Sequence, residues 1–445
     1  MKMLLALGLI LPAAAAAASP AKTPLLVHQE PRGIGNLVVP GDRVQIVYSV
    51  DSPNVKNPTG VLYVRNDSMR SFARLPLRRL SAYVPERLLH GRTLTYYAVI
   101  RDSKSGRSVS TPRRSAWILE HPSRVRLGTH RFGKTRAPEA AVAHWPAANV
   151  GWQDGGDPYG PETFLVGADG SILLDDELNQ RVLVSQPGGG SRTIPLPDGT
   201  GDGDVALSRD GTLFVTAGEG VGRAYHRVLY RVSPTGAVLW KHDLYRSLGE
   251  NGVYLMGSNS PIRFGPDGRL FCLVGMPGLP GGEWGWMPVA TAAGRPIEPA
   301  AQRRGTLWPY QPVAGGKRLV SEVYTPKPDG APRQARFALF HGTRLVRAWQ
   351  VLSGTDINFD YFTPEVVGGD VLVSLDTTKQ TPGGFRWEYT ILRLGPRGLK
   401  ARFSLPRAVY GDNLLADLRV GPDGDLYQLA SSPDEGVTVN RFSLR

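Results

Sequence analysis

The stretch GPETFLVGADGSILLDDELNQRVLV, Gly160 to Val184, holds an apolar strand, an Asp-Gly turn and a second apolar strand. The same turn precedes an apolar run in SRDGTLFVTA (Gly211), GPDGRLFCLV (Gly268) and GPDGDLYQLA (Gly424), with looser copies in VAGGKRLVSE (Gly316) and VVGGDVLVSL (Gly369). Successive turn glycines lie 41, 57, 48, 53 and 55 residues apart, the length of a four-stranded unit with loops of varied size. Glycine supplies the positive φ of a tight hairpin between the first and second strands of each unit. Apolar pairs before the turn (Phe164/Val166, Val205/Leu207, Ile262/Phe264, Leu418/Val420) have nothing to pack on within one unit. Each unit must hide its faces against neighbours, so six repeats predict an all-β six-bladed propeller over residues 121–445. The last repeat ends one strand short at Arg445, and RVRLGTHRF (residues 124–132) is the expected donor of the missing outer strand.

Residues 25–120 read differently. RVQIVYSV (Arg43 to Val50), GVLYVRND (Gly60 to Asp67) and LTYYAVIRD (Leu94 to Asp102) alternate at period two, with turns at Pro40-Gly41-Asp42, Asn57 to Gly60 and Lys104-Ser105-Gly106. Six or seven short strands in this length predict an immunoglobulin-like or fibronectin-III-like sandwich. The segment LTYYAVIRDSKSGRSVSTP resembles the late strands of fibronectin-type modules of secreted bacterial proteins.

Composition bounds the rest. With 41% apolar and 20% charged residues the chain is globular, and 53 Gly and 37 Pro favour turns and short strands over helical bundles. The one cysteine, Cys272, excludes an internal disulfide framework and reads as a buried apolar residue. Residues 1–18 combine Lys2, an apolar core and Ala16-Ala17-Ala18, the pattern of a secretory signal peptide, so a secreted or periplasmic protein is expected, with no later membrane span. The formal charge of +13 is segregated: Thr23 to Lys134 carries 19 Lys and Arg against 7 Asp and Glu. That basic module suits an anionic envelope polymer or an acidic protein partner. Nucleic acid is not expected, because no groove-reading motif is present.

The run Asp176, Asn179, Arg181, Val182 after the second strand of the first repeat resembles the NHL-repeat pattern of six-bladed propellers. The Asn is expected to close the hairpin in a left-handed conformation and the Arg to pair with an acid. The resemblance implies a binding platform and, more distantly, similarity to gluconolactonase and regucalcin propellers, which bind a divalent metal through Glu, Asn and Asp at strand starts. Here those starts hold Glu162, Asp204 (Asp202 nearby), Asn259 beside Ser260, Tyr361 beside Asp360, and Asp417. Glu162 matches the family offset, whereas Asn259, Asp204 and Asp417 miss it by one residue, which turns a strand side chain to the other face. Two functions are therefore expected in order: a binding protein needing no cofactor, or a metal-dependent hydrolase or lyase using a divalent cation such as calcium at the channel mouth. Met276 to Tyr310 reads as an insertion whose Trp284, Trp286 and Trp308 offer flat apolar faces to a ligand. Trp240 and Trp349 read as packing residues.

Exported protein is expected to begin at Ser19, which N-terminal mass mapping checks; an intact Met1 would overturn the signal-peptide reading.

Overall fold

The structure, a computed structural model, describes residues 27–29, 36–51, 55, 57–154, 158–198, 200, 203–219, 226–244, 254–255, 261–275, 284–297, 311–313, 315–324, 333–359, 364–382, 384–410 and 416–444. These form an almost entirely β, propeller-like fold. Two N-terminal sheets precede six sheets that follow the repeats.

The N-terminal sheets share one apolar core. Val27–Gln29, Gln45–Val50 and Ser81–Tyr83 form one; Leu37–Val38, Arg114–Ile118, Thr93–Arg101, Thr59–Asn66 and Ala73–Leu77 form the other, with Ser108–Ser110 on its flank. Alternation at period two sends Ile46, Tyr48, Leu62, Val64, Leu94, Tyr96, Ala98 and Ile100 into the core.

Among the repeats, the turn glycines take the expected backbone. Gly170, Gly211, Gly268 and Gly424 sit at φ of 80°, 79°, 77° and 80°. In each of these turns the glycine N–H donates to the carbonyl three residues earlier, as from Gly170 to Gly167 at 3.0 Å. The two repeats without Asp use consecutive left-handed glycines instead, Gly315-Gly316 and Gly368-Gly369. The pre-turn apolar residues pack where one sheet faces the next. Phe164 of the first sheet joins Leu429 and Val439 of the sixth; Val205 of the second joins Val182 and Val184 of the first. Further clusters link the second sheet to the third, the fourth to the fifth and the fifth to the sixth. Among the described residues no such cluster joins the third to the fourth.

The closing strand is not the expected one. Ser123–Gly128 lies parallel to Arg344–Ser353 on the outer edge of the fourth sheet, and Ala140–Trp145 completes the sixth sheet, antiparallel to Gly436–Phe442. Between them a strap passes the fifth sheet: His130 Nε2 meets Glu388 at 2.8 Å, Gly133 N donates to Glu388 at 2.6 Å, and Arg136 N donates to the Ser404 carbonyl. A chain leaving the fourth sheet must cross the fifth before it reaches the sixth, which moves the closing strand beyond residues 124–132. Gly436 permits the joint, since a Cβ there would lie 2.1 Å from the Trp145 carbonyl. The segment from Met276 is also less of an insertion than expected, because Trp284–Ala290 is the third strand of the third sheet.

The pair of N-terminal sheets is docked on the fourth sheet. Arg336, fully buried, donates to the Leu37 carbonyl at 2.7 Å and to Asp42 at 2.8 Å, with Glu322 at 3.8 Å. Glu322 accepts the Leu37 N–H at 2.9 Å, and Trp117 tilts onto Phe340 at 4.6 Å. Leu37, Val39 and Leu119 complete the contact against Val320, Ala338 and Phe340. Burial pushes Glu322 up to about 7, against the pull of Arg336. A carboxyl raised in the folded state favours the protonated form, so its stabilisation is full below pH 4.5 and is lost as pH rises through about 7. Glu322→Gln, which keeps the acceptor for Leu37, is expected to flatten the dependence of the melting temperature on pH in that window. Arg336→Met, which leaves the buried acids Asp42 and Glu322 without their cation, is expected to cost about 3–5 kcal/mol by denaturant titration.

Candidate functional site

Where the first strands of the sheets start, a buried acid collects backbone and side-chain donors from several of them. Asp204, 0% exposed, immediately precedes Val205–Leu207. Its carboxylate accepts from the Val205 N–H at 2.9 Å, Thr163 Oγ1 at 3.1 Å, the Ile262 N–H at 2.9 Å and Arg419 Nη2 at 3.0 Å. Arg419 also donates to Thr163 Oγ1 and to the Phe164 carbonyl, both at 3.1 Å. One ion pair thus ties the first strands of the first, second, third and sixth sheets.

Its charge is felt further out. Asp175, on the second strand of the first sheet, is fully buried, and neither of its carboxyl oxygens has a hydrogen-bond partner among the described residues. Desolvation, then repulsion from Asp204 and Asp176, raises its pKa well above the carboxylate range. Burial, and then Asp204 against an opposing Arg227, pushes the Cys272 thiol up to about 12, so this cysteine is a packed thiol and not a nucleophile.

Beside the clasp lies a central cavity of about 360 Å³. It is lined by apolar residues of the first strands together with Asp204, Arg263, Trp286, Glu365 and Arg419. Arg263 of the third sheet meets Glu365 of the fifth at 3.0 Å, and its guanidinium lies 5.3 Å over the Trp286 ring.

Of the residues singled out in the sequence, Asp204 and Trp286 reach this cavity. Glu162 and Asp417 are buried where two first strands begin; the Glu162 carbonyl accepts the Ala416 N–H at 3.4 Å, and the Asp417 carbonyl accepts that of Leu429 at 2.8 Å. Asn259, Tyr361 and Trp308 lie outside the described residues, as do Asp202, Ser260 and Asp360; Trp284 belongs to a strand whose first side chains are not described. Among the described residues no three His, Cys, Asp or Glu side chains gather as a metal-ligand set. The sequence reading missed Arg263, Glu365, Thr163 and Arg419. The two arginines had a signal: each is the middle residue of a first strand, where FLV, VAL and EVV carry Leu165, Ala206 and Val366.

The NHL-like run is built as a small network. Asp176 accepts from Asn179 Nδ2 at 2.9 Å, Arg181 Nε at 2.7 Å and the Gly151 N–H at 2.8 Å. The left-handed residue is Gln180 at φ 51°, not Asn179, whose side chain is occupied in capping Asp176. Trp240 and Trp349 staple neighbouring sheets, donating to the Gly294 and Gly395 carbonyls at 2.8 Å each.

No family model matches the chain, and no curated protein matches it. Among solved structures it is similar to a streptogramin B lyase, at 13% identity over 79% of this chain and 90% of that one, with a TM-score of 0.31. It is also similar to virginiamycin B lyase from Staphylococcus aureus, at 11% identity over 94% and 99% with a TM-score of 0.19. A third is the polysaccharide lyase Uly1, at 11% identity over 80% and 89% with a TM-score of 0.26. Likeness at these scores carries no functional argument, and the propeller-like character rests on the sheets themselves.

Asp204→Ala would leave the Ile262 amide without its acceptor and Arg419 without its carboxylate, and is expected to cost about 3–5 kcal/mol in denaturant unfolding. Asp175→Asn removes a carboxyl whose stabilisation is lost as pH rises, so it is expected to raise the melting temperature at pH 7 and leave it unchanged at pH 3. A fall at pH 7 would contradict a neutral, unpartnered Asp175.

Proposed function

We propose that this chain is a secreted or periplasmic binding protein of the cell envelope, in which an immunoglobulin- or fibronectin-III-like sandwich is carried on a closed six-bladed NHL-like propeller. The six sheets and the apolar clusters at five of their junctions support the ring. The observation that carries the functional reading is the charge segregation. Of the net of +12 between Thr23 and Lys134, +8 belongs to the sandwich up to Glu120 and the rest to Arg124 and Arg126 on the adjoining strand and to Arg131 and Lys134 of the strap, while the remainder of the chain is close to neutral. A module fixed to a large ring by a buried Arg336 presents that charge as a surface of constant shape, and this preorganisation suits it to recognition. The acid at the centre of the ring is spent on the fold, which favours binding over metal-assisted hydrolysis.

The reading requires no divalent cation: added calcium is expected to leave the melting temperature unchanged, and a rise would return the metal-dependent alternative. Incubation of the full chain with purified cell-wall fractions is expected to give retention at low salt and release at high salt. Absence of binding at both salt concentrations would overturn the proposal.

A further inference from the structure

The outward face of the larger N-terminal sheet carries an ordered stack. Tyr63 and Tyr97, directly opposite each other on Thr59–Asn66 and Thr93–Arg101, stack at 4.9 Å and 5°. Arg74 lies over the Tyr63 ring at 5.7 Å and Arg113 over the Tyr97 ring at 5.4 Å. Phe72 meets Tyr97 edge-on at 5.2 Å and is itself covered by Arg65 at 4.7 Å. Among the described residues Arg65, Arg74 and Arg113 have ring contacts alone, with neither a carboxylate nor a hydrogen-bond acceptor. The outward positions on these strands include no Asp or Glu, and hydroxyls stand beside the rings, as where Thr95 meets Ser115 at 3.2 Å.

Stacking fixes the plane of a guanidinium and leaves its N–H edge free. That edge matches a carboxylate as a two-pronged fork, with less side-chain entropy to lose because the ring already holds it. The backbones at Arg74 and Arg113 are three strand spacings apart, about 14 Å at 4.8 Å per spacing, so the two side chains rise from separate points along an extended ligand, with Arg113 over both Tyr97 and Phe72. We propose that this face binds a linear polyuronate, a polysaccharide carrying carboxylates at intervals, with guanidiniums taking the acids and hydroxyls the neutral positions. Single-stranded nucleic acid fits less well, because the ring faces on which bases would stack are covered. A membrane fits less well too, since none of the large apolar side chains that the fold exposes lies on this face. The inference rests on the envelope-binding reading and names the surface and ligand class for it.

The test is titration of the full chain with polygalacturonate at low ionic strength. Tight, salt-sensitive binding is expected, weakened at least tenfold in Arg74→Gln/Arg113→Gln. Arg74→Lys/Arg113→Lys, which keeps the charge and loses the fork, is expected to fall nearer the Gln variant than the wild type. Arg344→Gln/Arg397→Gln, an equal charge change elsewhere, is expected to bind as the wild type does. Melting temperatures confirm that each variant is folded. No binding by wild type, equal loss in both Gln pairs, or tighter binding to single-stranded DNA or to vesicles of anionic phospholipid would each overturn the proposal. If the stack variant still binds wall fractions as wild type does, the face is wrong while the envelope reading stands; wild type that binds no wall fraction removes both.

Discussion

Sheets that stack face to face leave the first and last of the series with a bare side, and everything else depends on how those two meet. Here Phe164, Ile172 and Leu174 of the first sheet share a core with Tyr427, Leu429, Val437 and Val439 of the sixth. The joint is held by a strand from the other end of the repeat region, Ala140–Trp145, laid along Gly436–Phe442. To place that strand, the chain first edges the fourth sheet and then crosses the fifth, where Glu388 grips the strap through His130 and the Gly133 amide. Opening the joint would expose two apolar faces at once, so the outer strand acts on the stability of both the first and the sixth sheet.

The Asp204–Arg419 pair does at the centre what the closing strand does at the rim. Buried charges are costly unless every lone pair is used, and Asp204 accepts from four separate donors. That engagement turns a residue of catalytic type into a structural one, while burial first, and its charge second, raises the pKa of Asp175 and Cys272 nearby. On the proposed binding reading, recognition falls to outer surfaces where cations are not answered by acids. The outward stack of the larger N-terminal sheet is the surface proposed: Arg65, Arg74 and Arg113 lie over rings at 4.7, 5.7 and 5.4 Å.

Turn chemistry was the most legible part of the sequence. Gly170, Gly211, Gly268 and Gly424 occupy the backbone region that made them recognisable, and the pre-turn pairs pack between sheets. The closing strand was not legible because AAVAHW is rich in alanine, which carries little β preference, whereas the stronger run at 124–128 drew the assignment to itself. The identity of the left-handed residue was hidden because Asn179 and Gln180 both suit the hairpin, and the choice fell to the Asp176 side chain. Contacts between distant strands were the least accessible. Nothing in the linear order pairs Asp204 with Arg419, or sets Tyr63 opposite Tyr97, until register is known.

Amide hydrogen exchange at Val437 and Val439, followed in the full chain and in Ala143→Pro, tests the closure most directly. Ala143 pairs with Val439, and proline there removes a ladder donor. The account predicts slow exchange in the unaltered chain and, in the variant, loss of protection across Gly436–Phe442 that spreads into Phe164–Val166 of the first sheet. Protection that stays unchanged along Gly436–Phe442 would contradict it.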